Sequence, residues 1–278
     1  MQNPKFQIKD DAGVEVGFDS LPKRIISLAP NITESLYAIG ADSVLVGITD
    51  LCDFPPEAKT KTKTGSYLSP DYERMVSLKP DLIIMNVENV SNPTYQALKN
   101  MGMKIFVSNA KDINGILKML GDFGHITGRK ATADTLLRRL GKENHEWMMR
   151  EYIQAKTLIL ISTNPLMTTN GKTFINEIAR YAGLHNLYTG ESIEYPSISY
   201  EDVISKDPYF IVFPTDTNDA GKKEKYLDEI KRQLKNTTAV KFDKIIFVDE
   251  NIMFRPGPRF LEAIEILHDK FVNINSFE

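Results

Sequence analysis

Two hydrophobic patterns alternate along the chain. Short continuous apolar runs at residues 25–29, 44–48, 82–85, 105–108, 158–161, 210–213 and 245–248 have the length and composition of buried strands. Between them, at 32–39, 70–78, 93–101, 112–124, 173–182, 200–206, 224–235 and 259–272, apolar residues recur at helical spacing. Strands that are apolar on both faces and separated by helices predict parallel sheets covered on both sides, an α/β architecture. Residues 6–18 differ, alternating around Asp11-Ala12-Gly13 in the manner of a short hairpin.

One run is longer than the rest. From Arg129 to Ile153, the residues Ala133, Leu137, Leu140, Trp147 and Met148 mark one face, with Lys, Arg and Glu elsewhere and Gly141 the one interruption. A lone glycine costs a helix about 1 kcal/mol, which such a run tolerates. Roughly 25 residues at 1.5 Å each would reach nearly 40 Å. On either side lies a repeat. Residues 67–84 and 195–212 align without a gap and share seven positions: Tyr67/Tyr195, Ser69/Ser197, Tyr72/Tyr200, Glu73/Glu201, Ser77/Ser205, Pro80/Pro208 and Ile83/Ile211. Chance at ordinary residue frequencies gives about one. The pattern predicts two Rossmann-like α/β lobes with parallel sheets, an N-terminal one over 1–127 and a C-terminal one over 156–278. A single long backbone α-helix over 128–155 joins them. Ligands of open parallel sheets sit beyond the carboxyl ends of the strands, so the expected ligand cleft lies between the lobes.

Composition narrows the function. The chain has 278 residues, 42% of them hydrophobic and 26% charged, which is ordinary for a globular protein. A net charge of −3 gives no reason to expect nucleic acid or an anionic membrane as partner. Cys52 is the sole cysteine, so no internal disulfide forms and a cysteine-based metal site is disfavoured. No apolar run approaches the length of a membrane span. The first residues, Met1-Gln2-Asn3-Pro4-Lys5, carry no apolar signal region, which fits a cytosolic protein or a mature exported one whose signal is absent from this sequence.

Candidate chemistry is sparse. Thr169-Asn170-Gly171-Lys172-Thr173 ends like a phosphate-binding loop, but Leu166 stands where the leading glycine is required. The turn after the first apolar run, Leu28 to Glu34, has no G-x-G-x-x-G, and Asn31 with Glu34 reads as a capping box that also offers a polar helix start to a ligand. His125, His145, His185 and His268 lack metal-ligand spacing, and no catalytic triad or carboxylate pair stands out, so the sequence offers little for catalysis. Tyr67 and Tyr195 offer either ordinary loop packing or a pair of aromatics gripping a flat, bulky ligand. Glu73 and Glu201 serve the helix dipole or present a matched pair to a basic partner. Arg255, in Phe254-Arg255-Pro256-Gly257-Pro258, is either a surface residue or an arginine held towards a ligand.

Three segments taken in order resemble a known family: Pro22 through Glu34, then Val46-Gly47-Ile48-Thr49-Asp50-Leu51-Cys52-Asp53-Phe54-Pro55-Pro56-Glu57-Ala58, then Glu73 through Ile84. They resemble the substrate-binding proteins of ABC importers for cobalamin, haem and ferric siderophores, and the resemblance runs from about residue 6 to 275. It implies two α/β lobes on a helical backbone, no enzymatic activity and no intrinsic cofactor or metal. It also implies a monomer held outside the cytoplasmic membrane, periplasmic or lipid-anchored. Such a protein delivers its ligand to a permease of two equivalent halves with ATPase subunits. The cobalamin-binding branch is the most similar, which makes a corrinoid, with cobalt held by the ligand itself, the expected cargo. Within that likeness Tyr67 and Tyr195 fall where tryptophans meet the corrinoid, and Arg255 falls on a ligand-contacting arginine. Glu73 and Glu201 fall on carboxylates that dock onto permease arginines. Asn31, Asp50, Leu51, Met167 and Asn251 complete the expected ligand contacts, with Leu51 where an aromatic is usual, Leu166 or Met167 at a position often held by Phe, and Asn251 near an expected acid. These departures leave a ferric siderophore or haem as the alternative cargo, with a tyrosine as possible iron ligand, and a cytosolic α/β enzyme or chelatase as the alternative class.

Overall fold

The apolar runs become the strands and the periodic stretches the helices, in the computed structural model, which describes residues 5–66, 68–87, 93–150 and 155–275. The chain divides into two units, residues 1–142 and 143–278.

In the first unit the elements are β1 (Phe6–Lys9), β2 (Glu15–Phe18), β3 (Ile25–Ser27), α1 (Pro30–Ala38), β4 (Leu45–Ile48), β5 (Thr62–Lys63), α2 (Tyr72–Ser77), β6 (Leu82–Asn86), α3 (Pro93–Asn100), β7 (Ile105–Ser108) and α4 (Ile113–Ile126). The sheet is parallel in the order β5-β4-β3-β6-β7. The chain enters at β3, walks outward to β5, and returns to the other side of β3 as β6. Connections from β3 and β6 therefore leave in opposite directions, which opens a crevice at their carboxyl ends. Ile26, Leu28, Ile83, Met85 and Val107 cover one face and pack with Met75 of α2 and Leu98 of α3. The hairpin forms as expected, β1 pairing antiparallel with β2 from Phe6↔Phe18 to Lys9↔Glu15. Asp10 organises its turn, accepting the N–H groups of Ala12 and Val14, while its second oxygen accepts that of Val107 in β7.

The long helix is shorter than the expected 128–155. It is α5, Lys130–Met148, 19 residues or about 28 Å, and the boundary between the units falls within it. At its start, Gly128 belongs to the end of α4. Its φ is +71°, and its N–H bonds back to the His125 carbonyl at 3.3 Å. At its end, the Arg150 N–H turns back to the Trp147 carbonyl at 3.3 Å, and the Arg150 guanidinium lies 3.8 Å from the Trp147 ring. Ala155 already pairs with Leu184 in the next sheet. Met149, Tyr152 and Ile153 extend the helical pattern in the sequence, and no Gly or Pro marks the stop. Gly141 lies inside the helix, with open space where a Cβ would be.

The second unit contains β8 (Ala155–Thr163), β9 (Leu166–Thr168), α6 (Phe174–Tyr181), β10 (Leu184–Asn186), α7 (Tyr200–Lys206), β11 (Phe210–Thr215), α8 (Ala220–Gln233), α9 (Thr238–Lys241), β12 (Ile245–Asp249), α10 (Glu250–Met253) and α11 (Phe260–Asn275). Its parallel order is β10-β8-β11-β12, with β9 folded back antiparallel on β8. Here the switch point lies between β8 and β11. Leu158, Leu160, Ile211 and Phe213 form the core face beneath Val203 of α7 and Ile230 of α8. β5, β9 and β10 are two or three residues long, too short to leave an alternating signature, and the sequence pattern missed them.

Candidate functional site

Both copies of the repeat fold alike. Asp71 caps α2 by accepting the Arg74 N–H at 2.9 Å, and Ser199 caps α7 by accepting that of Asp202 at 3.1 Å. After each helix the chain turns through a left-handed residue, Lys79 (φ 47°) or Asp207 (φ 44°), at matching places in the repeat. Pro80 or Pro208 then leads into β6 or β11. Glu73 and Glu201 take the second position of their helices, each exposed and each in the first turn. A carboxylate there complements the helix dipole, and its exposure leaves it open to a partner.

Tyr195 sits on a pinned backbone. Thr168 donates its N–H to the Pro196 carbonyl at 3.1 Å, Ile198 to that of Leu166 at 3.0 Å and Asn170 to that of Glu194 at 2.9 Å. The segment thus runs along β9 as an added strand, with Met167 bridged to Ser197, and the Tyr195 side chain is 41% exposed. Of the two neighbouring candidates in β9, Leu166 is core and Met167 half-buried. Tyr67 lies outside the described residues. Its loop is closed by a bridge between Gly65 and Pro70, and Gly65 also accepts the Asp50 N–H at 3.1 Å. Asp50 and Leu51 follow β4 at the carboxyl end of the first sheet. Asp50 is exposed, and Leu51 (59%) and Leu68 (70%) present unusual apolar area there.

Asn31 is not a cap. α1 begins with Pro30 at its first position, where the missing N–H costs nothing, and the capping residue is Ala29 with no side-chain bond. Asn31 is 3% exposed. Its amide faces Asn86 at the end of β6, with Nδ2 to Oδ1 distances of 3.2 and 3.5 Å in the two directions. This amide pair stands at the switch point of the first sheet, a place set by topology that capping logic missed.

In the second unit two expected residues come together. Arg255 donates to the Asn251 side-chain oxygen at 2.5 Å, and Asp249 at the end of β12 accepts the Asn251 N–H at 2.7 Å. The Lys222–Glu250 ion pair at 3.3 Å lies at the same end of the sheet and had no signal in the sequence. Where β8 ends at the switch point, a crevice of ≈ 570 Å³ opens between residues 162–164 and α8. The Tyr200 hydroxyl reaches the Thr163 carbonyl at 3.5 Å nearby. Burial, with Glu229 adding to it, pushes this phenol above its ordinary range, and Arg232 opposes the shift.

The phosphate-loop look-alike is a structural knot. Gly171 donates to the Thr189 carbonyl, Lys172 to the Asn170 side chain, and Asn176 to Thr173, which caps α6. These amides already have partners, so they do not form an anion cradle. Asn186 ties the knot from β10, donating to the Thr169 carbonyl (2.8 Å) and to Asn176 (3.1 Å) and accepting the Tyr188 N–H (3.0 Å). Asn186→Ala strands these buried partners at about 1–3 kcal/mol per group. It should lower stability by roughly 2–4 kcal/mol, read as a fall in the urea midpoint.

The histidines do not gather. His125 tilts against Phe6, and His268 packs edge-on to Trp147 with Nδ1 3.1 Å from the Ala182 carbonyl. Among the described residues no group of three His, Cys, Asp or Glu side chains is placed to hold a metal ion, and no helix is long and apolar enough to cross a membrane.

Residues 25–252 match the family model described as periplasmic binding protein. The chain belongs to that family. Relatives of this type bind solutes for import and are not enzymes. The vitamin B12-binding protein of Vibrio vulnificus (strain CMCP6) is 30% identical over 261 residues, 91% of each chain. An uncharacterised ABC transporter substrate-binding lipoprotein of Bacillus subtilis (strain 168) is 28% identical, over 94% of this chain and 83% of that one. Among solved structures, the periplasmic heme-binding protein of Roseiflexus sp. RS-1 superposes with a TM-score of 0.79 at 22% identity, covering 91% of this chain and 98% of that one. Its likeness establishes the fold. Family and relatives imply a place outside the cytoplasm, a small-molecule ligand and an ABC permease as partner.

Proposed function

We propose that this chain is the binding protein of an ABC importer that captures a corrinoid, cobalamin, and hands it to a permease of two equivalent halves. The observation that carries the ligand is the 30% identity to a vitamin B12-binding protein across nine-tenths of both chains. The site supports it with a side chain on a pinned strand, Tyr195, which offers rigid aromatic area with a polar tip. Tyr67 is its counterpart in the repeat. Asn31, Asp50 and Leu51 of the first unit, and Met167, Asn251 and Arg255 of the second, supply the remaining contacts. Glu73 and Glu201 are the docking carboxylates. The protein acts as a monomer in the periplasm or on a lipid anchor.

A second reading has a specific observation behind it. The fold matches a heme-binding protein as a whole, and tyrosine, unlike the tryptophan expected of the cobalamin branch, can serve as an axial ligand to haem iron. One experiment separates the two. The purified protein is mixed in turn with cyanocobalamin, haemin and a ferric siderophore, desalted, and its spectrum recorded. Corrin absorbance travelling with the protein at one equivalent is expected. A Soret band retained in its place would overturn the corrinoid assignment in favour of haem.

A further inference from the structure

Asp50 and Leu51 occupy the two corners of a tight turn after β4, closed by the Cys52 N–H on the Thr49 carbonyl at 3.1 Å. Both corner side chains are exposed, while Thr49 and Cys52 at the ends of the turn are buried. Lys63, in β5 at the edge of the sheet, reaches across to this turn. Its ammonium donates to the Cys52 carbonyl at 2.6 Å and to the Thr49 carbonyl at 3.4 Å, one at each end. The Lys63 carbonyl accepts from Nη1 of Arg74 in α2 at 3.2 Å, which fixes the base of the long side chain. Two further contacts hold the turn. The Cys52 sulfur lies 3.1 Å from the hydroxyls of Thr49 and of Thr33 in α1. The Asp50 N–H bonds to the Gly65 carbonyl at 3.1 Å, which ties the turn to the loop closed by Gly65 and Pro70.

A lysine on an edge strand is usually a solvated charge that keeps other strands away. Lys61, two residues earlier, donates to the Asp42 carbonyl at 2.7 Å, outside this turn. Lys63 differs in its target. An ammonium has three donors, and its charge-assisted bonds are stronger than neutral ones. One such group on both ends of a turn fixes the spacing of those ends, and with it the direction of the corner side chains. We propose that Lys63 is a positioning residue of the ligand site, clamping the turn so that Asp50 and Leu51 already stand as they do against bound ligand. The proposal rests on the reading of Asp50 and Leu51 as ligand contacts and adds the group that holds them. Order set before binding need not be imposed by the ligand, so losing the clamp costs affinity.

Lys63→Met keeps the stem and removes the ammonium. In calorimetric titration with cyanocobalamin it should bind about three- to tenfold more weakly than the unaltered protein, the scale of ordering a side chain or two anew. Lys63→Arg restores a cation and its donors and should recover most of the loss. Lys61→Met removes a like bond beside the same edge strand and should leave affinity unchanged. Leu51→Ala should cost less in the Lys63→Met background than alone, because its side chain is already out of place; independent losses would multiply. Cys52 supplies a readout without ligand. Its thiol is wholly buried, and burial pushes its pKa up against the Thr33 and Thr49 hydroxyls and Lys63, so a thiol reagent reaches it only when the turn opens. Labelling should be about tenfold faster in Lys63→Met. Should that variant fold poorly, Lys63→Gln, which keeps a neutral donor, is read in the same way. Unchanged affinity in the Lys63 variants, with Leu51→Ala weakened, would overturn the clamp and leave the corrinoid reading standing. Equal losses in Lys61→Met and Lys63→Met would reduce Lys63 to a support of the sheet edge. If the unaltered protein does not bind cyanocobalamin, the corrinoid reading fails and the same series with haemin decides the clamp; binding of neither removes both.

Discussion

Changing Glu73 and Glu201 together to lysine is expected to nearly abolish uptake of the ligand while leaving its binding intact. Both carboxylates are exposed at the second position of a short capped helix. A carboxylate that only serves the helix dipole contributes about 0.3–1 kcal/mol of stability, and its loss changes nothing else. A docking carboxylate behaves otherwise, since charge complementarity steers encounter and fixes register, and a reversed sign repels the partner's cations. The lysine variants should therefore be worse than the alanine ones. The repeat puts the two residues in equivalent places, one per unit, as a permease of two equivalent halves would need. Each single variant should weaken uptake, and the pair should nearly eliminate it. Uptake is measured in vesicles or cells carrying the permease, with ligand affinity titrated in parallel. Normal uptake by the double lysine variant would leave only the dipole role.

Much of this was legible before the structure. The strands of both sheets announced themselves as continuous apolar runs, because a strand buried on both faces has no polar alternation to hide it. The repeat was legible because Tyr200, Glu201 and Pro208 recur at the spacing of Tyr72, Glu73 and Pro80. What it encodes is a cap, a short helix, a left-handed exit at Lys79 or Asp207 and a buried strand. Two things stayed hidden for physical reasons. The end of α5 at Met148 carries no breaker residue, and by Ala155 the chain is paired with Leu184 of β10, a tertiary demand that periodicity does not carry. The Asn31–Asn86 pair and the crevice beside α8 depend on which strands become neighbours, and strand order is decided by connections across many residues. Arg255 and Asn251 were singled out as expected ligand contacts by family likeness, and the hydrogen bond between them, four residues apart in a short helix and its exit, is visible in the structure alone.

Replacing Tyr195 with alanine should weaken cobalamin binding by about 1–3 kcal/mol, or roughly 5- to 150-fold in Kd, with the fold intact. The fold should survive because the backbone around residue 195 is held by hydrogen bonds from Thr168, Asn170 and Ile198, none of which involves the tyrosine side chain. Binding should suffer because an exposed aromatic on a rigid strand spends little conformational entropy when a ligand covers it. Tyr67→Ala, its counterpart in the repeat, should behave in the same way. Phenylalanine at position 195 makes the test sharper. If the ring is a stacking platform for a corrinoid, Tyr195→Phe keeps most of the affinity, since area and shape are unchanged. If the hydroxyl ligates haem iron, Tyr195→Phe loses as much affinity for haemin as alanine does, and the iron spectrum changes with it. Calorimetric titration of both variants with both ligands yields four affinities that the two readings order differently. An unchanged affinity for cyanocobalamin in Tyr195→Ala and Tyr67→Ala alike would mean that neither ring touches the ligand, and the grip would then have to come from the polar groups at the carboxyl ends of the sheets.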